Sequence, residues 1–261
     1  MSTLETICLA VYKSFQACKT SSFQIVYGSK RIVDARVLLV LDSSFNPPHW
    51  GHYTLIKKSL QFYSDRSSHV LLMLSVNNAD KAPQPALFEK RIEMMCVMAD
   101  MLKAESINAS VGITTHGKYV DKYKTLRESY LPIGTLSFLV GFDTITRIFE
   151  PKYYTPHLLS EALNDCMMFS EFCCLTRTGQ QSVNDQIDYA NRISKGDYEP
   201  TIPRSWGKKI HVLVNDKRYE NVSSSKIRRD IQNHSSLAIL TKELPQPIIK
   251  YIQNQAEPIF M

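Results

Sequence analysis

Ser43-Ser44-Phe45-Asn46-Pro47-Pro48-His49-Trp50-Gly51-His52 follows an unbroken apolar run, Val37-Leu38-Leu39-Val40-Leu41, and leads into Tyr53-Thr54-Leu55-Ile56-Lys57-Lys58-Ser59-Leu60. The apolar run predicts a strand buried on both faces, as in a parallel sheet. The segment after Gly51 predicts the first turns of a helix. The polar stretch therefore occupies a strand-to-helix turn, where free backbone N–H groups and the positive end of a helix dipole attract anions. Pro47 and Pro48 stiffen that turn and remove two backbone donors. His49 and His52 are three residues apart, and a helix beginning near Trp50 brings their imidazoles together. Gly51 between them has no side chain to obstruct a ligand on the backbone. The pair reads as a cationic or hydrogen-bonding device aimed at phosphate oxygens. Two plainer readings stay open: a shared metal ion, for which no third ligand is obvious nearby, and a β–α turn with surface histidines.

Outward from this turn, apolar segments at residues 69–76, 110–114, 135–140, 172–176 and 209–214 predict further strands. Helical spacing is strongest over residues 51–63 and 87–104. Strand and helix alternate, which predicts an α/β fold: a Rossmann-like parallel sheet with helices on both faces and right-handed crossovers. Leu4, Ile7, Cys8, Val11, Tyr12 and Phe15 predict an amphipathic helix on the outside of the sheet. Residues 1–36 are taken as an N-terminal extension, with a short strand pair around Phe23–Tyr27, and residues 37–261 as the main domain. Thr115–Lys122 is expected to be a loop at the ligand edge. The helix containing Arg147 is expected to close at Pro151. Residues 180–208 are expected to form a helix plus a mobile loop. Ser223 or Ser224 should cap a helix running to Ile231, and residues 244–252 suggest a closing helix.

Composition narrows the function classes. The chain has 261 residues, 44% hydrophobic and 21% charged, with a net charge of +6. A sizeable core fits that length. The basic residues are scattered, and their densest cluster is Lys226, Arg228 and Arg229. A local anionic ligand explains this better than a nucleic-acid track, and no nucleic-acid partner is expected. The six cysteines form no CxxC pair and read as small buried hydrophobes of a reducing compartment. No apolar run approaches the roughly 18 residues needed to span a bilayer, and no basic leader precedes one. A soluble protein of the cytoplasm is expected, with the nucleus equally open; no membrane partner is expected, and a homo-oligomer is not excluded.

Ser44-Phe45-Asn46-Pro47-Pro48-His49-Trp50-Gly51-His52 resembles the HxGH signature of the nucleotidyltransferase superfamily, in the form found in nicotinamide mononucleotide adenylyltransferases. A second stretch, Val222-Ser223-Ser224-Ser225-Lys226-Ile227-Arg228-Arg229, resembles that family's ISSTKIR motif. The likeness spans roughly residues 37–235 and is nearest to the fungal branch. It departs at Ser43, where the family has glycine, and at Ser225, where it has threonine. Gly141-Phe142-Asp143 resembles the family's Gly-x-Asp, and Thr176-Arg177-Thr178-Gly179 its strand-TRAG element.

The resemblance implies adenylyl transfer from ATP to nicotinamide mononucleotide, giving NAD and pyrophosphate, with Mg²⁺ arriving on the ATP phosphates. It implies His49, His52, Lys81 and Arg228 as catalytic groups. Ser44, Phe45, Asn46, Gly51, Ser224, Ser225, Lys226, Ile227 and Arg229 would hold ATP and its phosphates. Gly141, Asp143 and Arg177 would face substrate. Tyr119, Tyr123 and Trp206 are candidates to stack on the acceptor ring, Tyr119 foremost. Asp143 reads equally as a helix cap and Arg177 as a surface ion pair. A related ATP-using enzyme with another acceptor, an ATP hydrolase, and a nucleotide-binding regulatory protein with little turnover remain as alternatives.

Overall fold

The computed structural model describes residues 10, 13–15, 22–32, 35–76, 86–130, 134–179 and 181–260. Seven strands form one sheet: β1 (Phe23–Tyr27), β2 (Val37–Asp42), β3 (Ser68–Ser75), β4 (Ala109–Thr114), β5 (Thr135–Gly141), β6 (Ser170–Leu175) and β7 (Ile210–Leu213). Their spatial order is β1-β4-β3-β2-β5-β6-β7. β1 runs antiparallel to β4, and all other pairs are parallel. Phe23–Tyr27 is thus one edge strand of the main sheet and does not pair with a second strand of its own. The chain moves outward from β2 through β3 to β4, then restarts beside β2 and moves the other way through β5, β6 and β7. The reversal lies between β2 and β5. Ligands of open α/β sheets bind beyond the carboxyl ends of the strands at such a switch point.

Strand periodicity builds the two faces. In β2, Leu38 and Val40 join one core with Met73, Phe138, Val140 and Phe172. Val37, Leu39 and Leu41 join the other with Leu55, Ile56, Leu72, Leu74, Ile92 and Met95. The second face is covered by α1 (Trp50–Phe62) and α2 (Phe88–Ala104). The first is covered from α3 (Tyr119–Ser129), α4 (Phe142–Ile148), α5 (Leu159–Ala162), α6 (Asn164–Phe169) and α7 (Val183–Lys195). Each fully buried large apolar side chain contributes about 1.5–3 kcal/mol over an exposed one. A third cluster joins α8 (Ser224–Gln232), α9 (Leu237–Glu243) and α10 (Gln246–Gln253) to α2 through Met94, Ile227, Ile248 and Ile249. Among the described residues, no helix is long and apolar enough to cross a membrane.

Several local expectations change. The helix predicted over residues 4–18 lies largely outside the described residues; Ala10 and residues 13–15 are helical, and Phe15 is buried. The expected loop Thr115–Lys122 already contains the start of α3 at Tyr119, because Tyr119, Tyr123 and Leu126 supply an apolar face to the sheet. α4 ends at Ile148, and a 3₁₀ turn, Pro151–Tyr153, follows. The stretch expected to be a mobile loop is packed. Ile202 and Trp206 are buried in the first core, and Gly207 in the 3₁₀ turn Arg204–Lys209 lies so close to α7 that an added Cβ would meet the Ala190 carbonyl oxygen at 2.5 Å. Cys96, Cys166, Cys173 and Cys174 are buried free thiols.

Candidate functional site

A cleft of about 380 Å³ opens at the carboxyl ends of β2 and β5, at the sheet reversal. Its lining brings together Ser44, His49, Gly51, His52, Gly141, Asp143, Arg177, Ser224, Ser225 and Arg228, which lie far apart along the chain.

The turn after β2 is held from several sides. Phe45 is fully buried and adopts a left-handed backbone, φ 46°, an uncommon conformation for a bulky residue. Around it, the Ser44 carbonyl accepts from Arg91 Nε at 2.7 Å and the Asn46 carbonyl from Arg228 Nη1 at 2.8 Å. Asn46 is itself fully buried. Phe45 packs against the His52 ring at 5.2 Å, and neither Phe45 nor Asn46 lines the cleft.

α1 starts at Trp50, and its N-terminal cap is made by the two histidines. His49 Nδ1 accepts from the Gly51 amide at 3.1 Å, and His52 Nδ1 accepts from the His49 amide at 3.1 Å. Such reciprocal capping is usually the work of Ser or Thr with Glu or Gln. Because both Nδ1 atoms accept, the neutral imidazoles carry their protons on Nε2. His52 Nε2–H donates to Ser43 Oγ at 2.9 Å. The rings lie 3.8 Å apart, centroid to centroid. Burial, then His52, then Arg177 push the His49 pKa well below the usual imidazole value. In this arrangement the pair is a hydrogen-bonding device, not a cationic one. Gly51 leaves room for the pair: a Cβ there would stand 3.0 Å from the His49 ring, which would have to shift.

The downstream serine-rich stretch is stitched onto this turn. Ser223 caps α8, its hydroxyl accepting from the Lys226 amide at 3.3 Å. Ser224 Oγ donates to the Pro47 carbonyl at 3.0 Å, and Arg228 Nη2 reaches Ser225 Oγ at 3.3 Å. The N-termini of α1 and α8 thus flank one cleft. Two members of the basic cluster do not line it. Lys226 Nζ is bound by Glu243 and lies 3.7 Å from Asp230, so its ammonium ties α8 to α9. Arg229 is absent from the lining, and Ile227 is a core residue with no exposure. Lys81 lies outside the described residues.

Asp143 sits in the first turn of α4 but makes no cap. Its carboxylate pairs with Arg177 at 3.0 Å and Arg147 at 3.6 Å across the cleft mouth. Tyr119 is half-buried and lines a neighbouring cleft, its ring at right angles to that of Phe138 with centroids 5.2 Å apart. Tyr123 and Trp206 are buried in the core.

A second cleft of about 200 Å³ adjoins the first, sharing Asp42, Ser43, Ser44, Thr144 and Arg147. Tyr153, Tyr154, Lys118 and Gly117 line its far side. Sequence reasoning missed Asp42, Lys122, Tyr153 and Tyr219 at these clefts. Asp42 alone carried a usable signal, since it ends a buried strand pointing at the ligand edge.

Comparison with known proteins agrees with this geometry. The cytidylyltransferase-like family matches residues 40–230. A Schizosaccharomyces pombe protein named "Putative nicotinamide mononucleotide adenylyltransferase" is 31% identical over 237 residues, 90% of this chain and 91% of that one. An Arabidopsis thaliana protein named nicotinamide/nicotinic acid mononucleotide adenylyltransferase is 26% identical, over 88% of this chain and 93% of its own. Among solved structures, Plasmodium falciparum nicotinic acid mononucleotide adenylyltransferase complexed with NaAD shares the fold, with a TM-score of 0.59 at 15% identity, covering 83% of this chain and 94% of that one. With its two signature stretches closed around one cleft at the sheet reversal, the chain belongs to the cytidylyltransferase-like family, beside the nicotinamide mononucleotide adenylyltransferases.

Proposed function

We propose that this protein transfers the adenylyl group of ATP to the phosphate of nicotinamide mononucleotide, forming NAD and releasing pyrophosphate. The observation that carries this is the meeting of residues 43–52 with residues 223–228. Arg228 and Ser224 bond the carbonyls of Asn46 and Pro47, so two helix N-termini and an imidazole pair face one cleft. Its relatives by sequence bear adenylyltransferase names.

The acceptor phosphate is already anionic at neutral pH, so no general base is required. What the reaction needs is alignment of two repelling anions and stabilisation of charge growing on the phosphates. In this proposal His49 donates from Nε2–H to the α-phosphate, and His52 does the same by exchanging its Ser43 Oγ partner for a phosphate oxygen. The α8 N-terminus, Ser224, Ser225 and Arg228 hold the leaving pyrophosphate. Gly51 and the backbone of Ser44 form the floor under the nucleotide. Gly141, Asp143 and Arg177 contact the adenylate side, and the second cleft takes the acceptor. Lys81 is assigned to the phosphates on sequence resemblance alone.

Mg²⁺ belongs to the proposal as counter-ion of the triphosphate. Among the described residues no cluster of three or more His, Cys, Asp or Glu side chains comes together, so phosphate oxygens and water would hold the ion. It would supply charge neutralisation on the departing pyrophosphate.

Incubating the purified protein with ATP, Mg²⁺ and nicotinamide mononucleotide, and following NAD and pyrophosphate together, tests the function. Equimolar appearance of both is expected. Pyrophosphate or phosphate without NAD would point to another acceptor or to hydrolysis. Neither product would leave a nucleotide-binding protein.

A further inference from the structure

Ser43 follows the last residue of β2 and lines both clefts, at the border where the two substrates of the proposed reaction would meet. Its amide donates to the Met73 carbonyl of β3 at 3.3 Å, which keeps it in line with the sheet. Its side chain stands where the resembling family has glycine. The hydroxyl is already engaged on one side. His52 Nδ1 accepts from the His49 amide at 3.1 Å, so the ring proton is on Nε2 and is donated to Ser43 Oγ at 2.9 Å. A hydroxyl has two acceptor lone pairs and one hydrogen of its own. Ser43 Oγ uses a lone pair on His52, while its O–H has no acceptor among the described residues. That O–H is a donor held in place for a ligand, and the bond received from His52 strengthens it.

The charges around the border suit an anion. The charged residues of the smaller cleft are Asp42, Lys118, Lys122 and Arg147. Lys122 binds Asp42, Lys118 Nζ donates to the Tyr153 carbonyl at 3.0 Å, and Arg147 stands 3.6 Å from Asp143. The larger cleft adds Arg177 and Arg228 against Asp143 and Glu220, so cations outnumber carboxylates across the two.

We propose that Ser43 is a further catalytic residue of the transfer: its hydroxyl donates a hydrogen bond to a non-bridging oxygen of the acceptor's phosphate, where that phosphate meets the α-phosphate of ATP. When a phosphate oxygen takes over the His52 N–H, Ser43 keeps its own donor, and the two side chains hold neighbouring phosphates. No proton moves in this step. An oxygen of the acceptor phosphate attacks the α-phosphorus, the bond from that phosphorus to the pyrophosphate oxygen breaks, and pyrophosphate leaves with the electron pair. A donor at the meeting point lessens the repulsion of the two anions and fixes the attacking group. The inference rests on the proposed adenylyl transfer and adds a residue to its machinery.

Rates of NAD formation from MgATP and nicotinamide mononucleotide by wild type, S43A, S43T, H52A and S43A/H52A test it. S43A should lower kcat/KM for the acceptor by about tenfold or more, as for a lost hydrogen bond to a charged group, with the thermal melt little changed. S43T keeps a hydroxyl and should stay within about threefold of wild type. The double variant separates contact from support. If Ser43 meets the phosphate itself, S43A should slow H52A by about tenfold again. S43A/H52A as fast as H52A would make Ser43 a support for the His52 ring alone and overturn the inference. S43A within about threefold of wild type overturns it too, and both results leave adenylyl transfer intact. If S43A does not fold, S43G carries the same comparisons. Absence of NAD from the wild type overturns the transfer reaction itself, and the inference with it.

Discussion

The two clefts are built by different means. The larger one is made of main-chain groups and short-range side chains: two helix N-termini, a kinked turn, imidazoles three residues apart, and serines in succession. The smaller one is made of side chains that meet from separate elements: Asp42 from β2, Lys122 from α3, Arg147 from α4 and Tyr153 from the turn after it. Backbone architecture must be written into a contiguous stretch, because turn geometry and caps are local. Side chains that converge across a sheet leave no such trace. The larger cleft is accordingly suited to phosphates, which every nucleotide shares, and the smaller to what distinguishes one acceptor from another.

That division can be tested at both ends. The largest effect is expected for His52→Ala. It should lower kcat/KM by about 10²–10³, as for loss of an oriented donor to a developing charge, with the missing cap costing about 1 kcal/mol in denaturant melts. A collapse of the fold in place of a rate loss would make His52 a structural residue.

Next comes a contrast between neighbours on α8. R228M should reduce kcat about 100-fold and cost about 1 kcal/mol in the melt, because the Asn46 carbonyl loses its donor. K226M should do the reverse: a rate within about tenfold of wild type, but a stability loss of about 1–3 kcal/mol, because Glu243 becomes a buried carboxylate without its cation. Equal rate losses in both would restore Lys226 to the phosphate site.

Tyr153→Ala sharpens the comparison from the other cleft. KM for the acceptor should rise about tenfold, with KM for ATP little changed. If both constants move together, the two clefts are one site.

The smallest effect concerns pH. His69, at the opposite end of the sheet from the cleft, is pushed down to about 4 by burial and by Lys103. The unfolded chain takes up that proton near pH 6.5, so the folded state is favoured fully above 6.5 and loses about 3 kcal/mol at most as pH falls to 4. His49 is depressed in the same direction. Phosphates of ATP should offset the acid loss at His49 alone. The rise in Tm given by ATP should therefore be larger at pH 6 than at pH 8. H69Q should keep that difference and H49N should abolish it.

Sequence alone located the parallel strands, the start of α1 near Trp50 and a cap at Ser223 or Ser224, of which Ser223 is used, because each is signalled within a few residues. It also identified ten lining residues of the larger cleft, seven through the two signature stretches and three through the Gly-x-Asp and strand-TRAG elements. It failed where a partner is remote. Lys226 looks identical on paper whether it meets phosphate or Glu243, and only the path of α9 decides. Residues 180–208 looked loose because their polar composition hides Ile193, Ile202 and Trp206, which face the first core. Tyr119 packs on Phe138 and Phe172 from two strands, contacts that no local pattern announces, while it still lines the smaller cleft.

One consequence follows from the way α1 begins. The imidazoles that cap it are the same ones assigned to the chemistry, so folding the first turn also selects their tautomers. A designer seeking a tougher protein would replace His49 by serine and His52 by glutamate, the standard opening for a helix. The product would gain thermal resistance and lose turnover in one stroke, since each ring secures the cap through Nδ1 and serves the proposed chemistry through Nε2.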